Sequence, residues 1–427
     1  MKDQIIAPVK GTRDFYPEDQ AFQNWLYAKC KKVAELFGFQ EYEGPILESL
    51  ELYAAKSGEE LVKKQAFTLK DQSGKTLALR PEMTPTLARM VAQKVNELVF
   101  PVKWFTFGRR FRYEKPQKGR GREFFQWDVD LLGAEGPSAD AEVIAVAAFF
   151  CQELGLSPKQ ITIKINDRKL LEKKLLEIEI PEEKIISTFR LADKKDKMTK
   201  QEFLEFAQEE QLTADQAKAL LQILEEKNSF SQSEYLKELF AILKKYGVSE
   251  YVEFDPGIVR GLDYYTQTVF EIWDTQGQFR AIGGGGRYDD LVAKVGSSQK
   301  IPGVGFAVGD MVVAEVLKAN RLYPQLSFNP TSVLVTIFSP DLQEKSFQIT
   351  QRLRNNNINT EIFLNYLPKM EKQIKYADKK NIPLVVIIGP EEVKNNTVTL
   401  KNLRTGLQKT LPEEELITEI KTAFSLL

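Results

Sequence analysis

The chain has 427 residues, 43% hydrophobic and 28% charged, with a net charge of −1. That length exceeds one ordinary domain, the balance suits a soluble protein with real cores, and any nucleic-acid surface must come from local clustering. With no histidine and two cysteines, the chain has no Ser-His-Asp triad, no imidazole base, no His-containing zinc site and no disulfide framework. Its chemistry must run on carboxylates, Arg, Lys, Tyr and backbone groups. No apolar run reaches the roughly 18 residues of a membrane span and the first residues lack a signal-peptide core, so no membrane and a reducing cytoplasm are expected.

From the start to about residue 165, helical and strand patterns alternate. Phe22, Trp25, Leu26, Val33, Leu36 and Phe37 recur near helical period, and Gly38 stops that helix. Gln65–Leu69 and Thr76–Arg80 bracket Asp71-Gln72-Ser73-Gly74, a hairpin signal. Trp104–Arg112 and Glu123–Leu132 read as strands, joined by a Gly-rich basic loop over 114–122. From 168 to 250, Lys, Glu, Leu and Gln dominate and the pattern is helical, as in an inserted module. Strand character returns at Tyr251–Phe254 and in a hairpin of Tyr265–Trp273 with Gly277–Ile282. A linker near Pro324–Pro330 precedes Val333–Ile337, the helix Asp341–Asn355 and Leu384–Ile388, an alternation that predicts a small α/β domain with a largely parallel core.

The chemistry concentrates in a few strings. Arg109–Arg122 holds seven Arg or Lys in fourteen residues, with Glu114 its one acid and Phe111, Phe124, Phe125 and Trp127 around it. A strand-borne Arg112 suits an anchored phosphate, and Lys115, Gln117, Lys118 and Arg120 suit a longer anionic partner. Arg260-Gly261-Leu262-Asp263-Tyr264-Tyr265 and Gly284-Gly285-Gly286-Arg287-Tyr288-Asp289 add cations, rings and carboxylates about twenty residues apart. The run Gly283–Gly286 lacks the Gly-Lys-Ser/Thr ending of a P-loop. Alone, Glu82 reads as an ordinary acid near a helix start, and Pro81 as that start.

Taken together and in this order, these strings resemble the histidyl-tRNA synthetase family of class II aminoacyl-tRNA synthetases, over roughly residues 8 to 425. The resemblance implies an α+β catalytic domain over 1–325, an antiparallel sheet flanked by helices. A helical insertion over 168–250 interrupts it, and a C-terminal α/β anticodon-binding domain follows over 331–427. It implies ATP-dependent ligation of L-histidine to the 3′ end of tRNA(His) through histidyl-adenylate, with Mg²⁺, in a homodimer. Phe111–Gly133 looks like motif 2, and by that likeness Arg112 contacts the α-phosphate and the substrate carboxylate, Glu114 and Arg120 hold ATP, and Gln117 meets the acceptor end of the tRNA, with Lys115 beside it on the basic loop.

By the same likeness Glu82 and Thr84 receive the α-amino group, while Gln126, Asp130, Tyr264, Tyr265 and Tyr288 form the histidine pocket. Arg260 supplies charge as the adenylate forms, and the glycines admit the adenylate. Gly44-Pro45-Ile46 resembles the dimer-forming motif 1, and Lys375, Tyr376 and Lys379 lie where an anticodon domain would meet phosphate and a stacked base. Motif 3 departs from the family: its Gly-x-Glu-Arg is replaced by Gly309-Asp310-Met311-Val312. The γ-phosphate cation must then come from elsewhere, with Arg120 and Arg287 as candidates, or ATP affinity is weakened. Lys197-Met198-Thr199-Lys200 looks like half of a class I signature, but it stands in a polar helical stretch and reads as solvated helix.

Overall fold

The computed structural model describes residues 5–54, 65–117, 119–195, 198–364 and 369–425. Lys118 and Lys197 lie outside the described residues. The chain divides into two compact units, Phe22–Pro324 with residues 1–14, and Gln325–Leu427 with residues 15–21.

The longest ladder of the first unit pairs Val102–Phe111 with Glu123–Leu132, antiparallel over ten residue pairs. On the second strand Gln126, Asp128 and Asp130 alternate with Trp127, Val129 and Leu131, and all six are buried. Successive side chains of a strand point to opposite faces, so the polar set shares one face and the apolar set the other. Trp127 packs on Phe150 of helix Pro137–Glu153, with 4.8 Å between ring centroids. That helix is apolar on most sides, with Val143, Ile144, Val146 and Phe150 all buried, and it closes the apolar face. The polar face is left for the site.

The sheet continues through Gly303–Gly309, Gly283–Arg287, Thr268–Asp274 and Ile161–Asp167, each antiparallel to its neighbour. Gln40–Glu41 and Val252–Phe254 complete its eight strands, pairing in parallel at the two edges. Leu47–Ser49, Thr76–Leu79 and Phe67–Lys70 form a separate antiparallel sheet. Its hairpin turns at Asp71, whose carboxylate accepts from the backbone of Ser73 and Lys75.

Between strands Ile161–Asp167 and Val252–Phe254 the chain is helical, with helices Arg168–Glu177, Ile185–Ala192, Lys200–Glu209, Ala214–Glu225 and Glu234–Lys245. Leu171, Leu175, Phe189, Phe203, Leu220 and Leu224 give them a core of their own. Thr199 and Thr213 start two of these helices with capping boxes closed by Glu202 and Gln216. Thr199 thus spends its hydroxyl on a helix start.

Three local expectations shift. The first helix runs Pro17–Leu36, beginning earlier than its apolar stripe because Pro17 opens it and Glu18 and Asp19 occupy the first turn. The helix after Glu82 starts at Thr84 and not at Pro81. Gly277–Ile282 is not a strand: Asp274 accepts hydrogen bonds from the backbone of Gln278 and Phe279, so the turn holds until pairing resumes at Ile282. The glycine run is the returning strand.

In the second unit the strands stand in the order Thr360–Ile362, Val333–Val335, Leu384–Ile387, Thr397–Asn402, Gln408–Pro412. The first three are parallel, as the alternation of strands and helices predicts, and the last two add antiparallel at one edge. Val333, Val335, Leu384, Val386 and Leu400 pack under Ile349, Leu353, Leu416 and Ile420. No helix among the described residues is long and apolar enough to cross a membrane.

One buried ion pair joins several of the first unit's elements. Arg287, at the end of the glycine strand, donates from Nε to Oδ1 of Asp140 at 2.9 Å and from Nη1 to Asp289 at 3.0 Å. Its remaining donors reach the carbonyls of Ala134 and Gly136. Asp140, in the first turn of helix Pro137–Glu153, also accepts from Thr268 and from Tyr235 of the last inserted helix. Both charges are essentially out of water. Removing one partner leaves the other as an uncompensated buried charge. Arg287→Met is therefore expected to cost about 3–5 kcal/mol in chemical denaturation, whereas a loss below about 1 kcal/mol, typical of surface pairs, would remove the pair from this role.

Candidate active site

The glycines of the central strands make room for side chains. A Cβ on Gly284 would fall on the Arg260 guanidinium, one on Gly286 would meet the Tyr265 ring at 2.8 Å, and one on Gly305 would overlap the Asp130 carboxylate. Three large or charged groups therefore lie flat against backbone, which only glycine permits. At Gly284 and Gly286 the protein's own Arg260 and Tyr265 occupy the space that a Cβ would need.

Above them lies a cavity of about 100 Å³. Glu82, Thr84, Arg112, Gln126, Arg260, Tyr264, Tyr265 and Tyr288 line it, together with Asp128, Leu262 and Gly284. Tyr264 donates to Oε2 of Glu82 at 3.0 Å, and its ring meets Tyr265 and Tyr288 edge-on at 4.9 and 6.0 Å. Burial pushes the Tyr264 and Tyr288 hydroxyls up, so both remain protonated donors. Gln126 brings a buried Oε1 with no hydrogen-bond partner, a group that a polar ligand would satisfy.

Asp130 stands behind Tyr288, which donates to its Oδ1, while Oδ2 is buried without a partner. Burial pushes the Asp130 carboxyl up to about 8 against the Tyr288 hydrogen bond, and the charges of Asp128 and Glu82 push it the same way. Asp128 escapes that isolation through Arg110, whose Nη2 lies 2.8 Å away. The face thus offers the Glu82 carboxylate, which accepts from Tyr264, and at Asp130 a carboxyl that burial keeps largely protonated near pH 7.

Arg260 is held in an unusual way. Its φ is 62°, in the left-handed region that non-glycine residues seldom occupy, and Nη1 pairs with Glu271 at 2.9 Å. Arg168, which the sequence reading did not single out, fixes this loop. Its Nη1 donates to the carbonyls of Leu262 and Tyr265 at 3.1 and 2.7 Å, and its guanidinium lies 4.5 Å from the Phe189 ring centre. No local motif marks Arg168; its role comes from contacts more than ninety residues away.

Arg112 faces two spaces. Its Nε donates to the Pro81 carbonyl at 2.9 Å and its guanidinium lies 5.3 Å from the Phe124 ring centre. It lines the tyrosine cavity and also a second one walled by Glu114, Arg120, Phe124, Arg280, Met311 and Val312. Arg120 and Glu114 form an ion pair at 2.7 Å. At the tip of the basic loop Gln117 and Arg120 exchange backbone hydrogen bonds, and Lys115 and Gln117 are exposed. Among the described residues no group of three or more acidic, Cys or His side chains forms a metal centre.

Two expectations are corrected. Arg287 lines neither cavity, because Asp140, Asp289 and two carbonyls consume its donors inside the wall. Tyr376 is not free for stacking: its hydroxyl donates to Glu361 and its ring meets Phe363 edge-on at 5.2 Å. On the same helix Lys375 and Lys379 are exposed, Lys375 beside Glu371 at 2.7 Å.

A family model described as histidyl-tRNA synthetase matches residues 11–311, and an anticodon-binding-domain model matches residues 332–423. A histidine–tRNA ligase of Leptospira biflexa is 37% identical over 443 residues, covering 100% of both chains. One from Thermococcus kodakarensis is 36% identical over 436 residues, or 97% of this chain and 98% of that one. The crystal structure of histidyl-tRNA synthetase from Nostoc sp. PCC 7120 matches with a TM-score of 0.79 at 25% identity, over 99% of this chain and 100% of that one. With a matching family model over most of its length and full-length relatives above one-third identity, the chain belongs to the histidyl-tRNA synthetases, within the class II aminoacyl-tRNA synthetases.

Proposed function

We propose that this protein ligates L-histidine to the 3′ end of tRNA(His) in two steps. An oxygen of the histidine carboxylate attacks the α-phosphorus of ATP, the bond to the bridging oxygen breaks, and pyrophosphate leaves with the electron pair. A ribose hydroxyl of the terminal adenosine then attacks the acyl carbon, loses its proton, and displaces AMP. The observation that carries this reading is Arg112, which lines both the tyrosine cavity and the arginine-rich one, as a group bridging amino acid and nucleotide would.

In this assignment Glu82 and Thr84 receive the α-amino group. Gln126, Tyr264, Tyr265 and Tyr288 surround the imidazole, and Asp130, behind Tyr288, acts on the ring through that tyrosine's hydroxyl. Arg112 and Arg260 stabilise the charge that builds on the α-phosphate, so no imidazole base is required. Glu114 and Arg120 hold the nucleotide. Mg²⁺ is commonly bound by one or two carboxylates plus substrate phosphates, a donor set that Glu114 fits, and it would neutralise the phosphate charge. Lys115 and Gln117 on the exposed loop tip would meet the tRNA end, and Lys375 and Lys379 its anticodon arm.

Exposed Ile46 and Leu47, beside Pro45, support a homodimer built on that strand. Buried free thiols at Cys30 and Cys151 fit a reducing compartment such as the cytoplasm.

Two measurements test the assignment. ATP–pyrophosphate exchange across the twenty amino acids should run with histidine, and Arg260→Ala should lower its kcat by about 100-fold or more; histidine binding without exchange would instead make the protein a histidine-binding regulator. Asp130 titrates near 4 when unfolded and near 8 when folded, so the folded state keeps a proton that the unfolded state loses. Its contribution therefore lowers stability as pH rises from about 4 to about 8, by at most about 1.4 kcal/mol per pH unit. Unfolding free energy should fall more steeply over that window in the wild type than in Asp130→Asn; parallel curves would mean that Asp130 is not held protonated.

A further inference from the structure

The second cavity is short of negative charge. Three arginines, Arg112, Arg120 and Arg280, line it against one carboxylate, Glu114, which is already paired with Arg120 at 2.7 Å. Arg280 makes no ion pair or hydrogen bond with any described residue, and it is exposed. It stands in the turn that the Asp274 carboxylate holds, three residues before the glycine strand. Although the side chain reaches solvent, the cavity wall displaces part of the water around its guanidinium, and this, with the charges of Arg120 and Arg112 set against that of Glu114, lowers its pKa to about 10. Three like charges are gathered here against the single carboxylate of Glu114. The same cavity is walled by Val312, an apolar residue at the position where the family resemblance expects the γ-phosphate arginine.

We propose that Arg280 supplies the cation for the terminal phosphates of ATP, taking over from a neighbouring strand-to-strand turn the role that Val312 cannot fill. The inference rests on the adenylation reading above and adds a nucleotide-positioning residue to it. Arg120 is the weaker candidate because its guanidinium is committed to Glu114. Arg280 reaches the pyrophosphate half of the nucleotide, so it should matter for ATP and pyrophosphate and not for AMP.

The test is histidine-dependent ATP–pyrophosphate exchange by the full chain, with Arg280→Ala and Arg280→Lys, reading the KM for ATP, the KM for pyrophosphate and inhibition by AMP. Charge-assisted hydrogen bonds of this kind correspond to about a ten-fold change or more. Arg280→Ala is expected to raise both KM values by about that factor, to leave AMP inhibition within about two-fold, and to be partly rescued by Arg280→Lys. KM values within about two-fold of wild type, or AMP weakened as much as ATP, overturn the proposal. Equilibrium binding of ATP and of AMP to wild type and Arg280→Ala reads the same difference without catalysis. A wild type that shows no exchange would therefore count against adenylation, while the binding comparison still decides on Arg280.

Discussion

The Arg287–Asp140 ion pair is the constraint on which the first unit's arrangement depends. It fastens the glycine strand to the first turn of helix Pro137–Glu153, and through Thr268 and Tyr235 it reaches the next strand and the inserted helices. An Asp in a helix's first turn already benefits from the helix dipole, and a guanidinium that also finds two carbonyls leaves few donors unsatisfied. Such a pair contributes modest net stability compared with an apolar replacement, yet it tolerates no half-measures. It fixes which face of the glycine strand looks toward the cavity.

That choice of face explains the site's composition. With Arg287 turned into the wall, Gly284 and Gly286 turn the other way, and Arg260 and Tyr265 settle on them. Arg260 accepts a left-handed backbone to get there, held by Glu271 on one side and by the Arg168 clamp on its loop. Strain, clamp and glycine floor belong together: removing any one would let the guanidinium wander from the cavity that it lines.

Much of this was legible in the sequence, and the exceptions have physical causes. Glu123–Leu132 read as a strand, and its alternation of Gln126, Asp128 and Asp130 with Trp127, Val129 and Leu131 gives it one polar face, from which Gln126 and Asp128 line the cavity. Arg287 was misread because a charged residue next to a glycine string invites assignment to a ligand. Strand parity would have corrected it, since Gly284, Gly286 and Tyr288 alternate with Arg287. The turn over Gly277–Ile282 was hidden by a side chain, Asp274, whose caps outweighed the local strand preference. Arg168 left no trace, because its partners are remote in the chain, and Tyr376 looked available only until Glu361 and Phe363 were seen beside it.

The tyrosine cavity is assembled without a single imidazole, and the whole chain contains none. A histidine entering it would bring the only imidazole ring in the complex. Its carbon-bound ring protons would resonate in proton NMR with no protein imidazole signals to confuse them, and their shifts report whether the ring is charged. The charge state of a histidine ring bound there can therefore be followed on the unlabelled protein, where most proteins would hide it behind their own imidazoles.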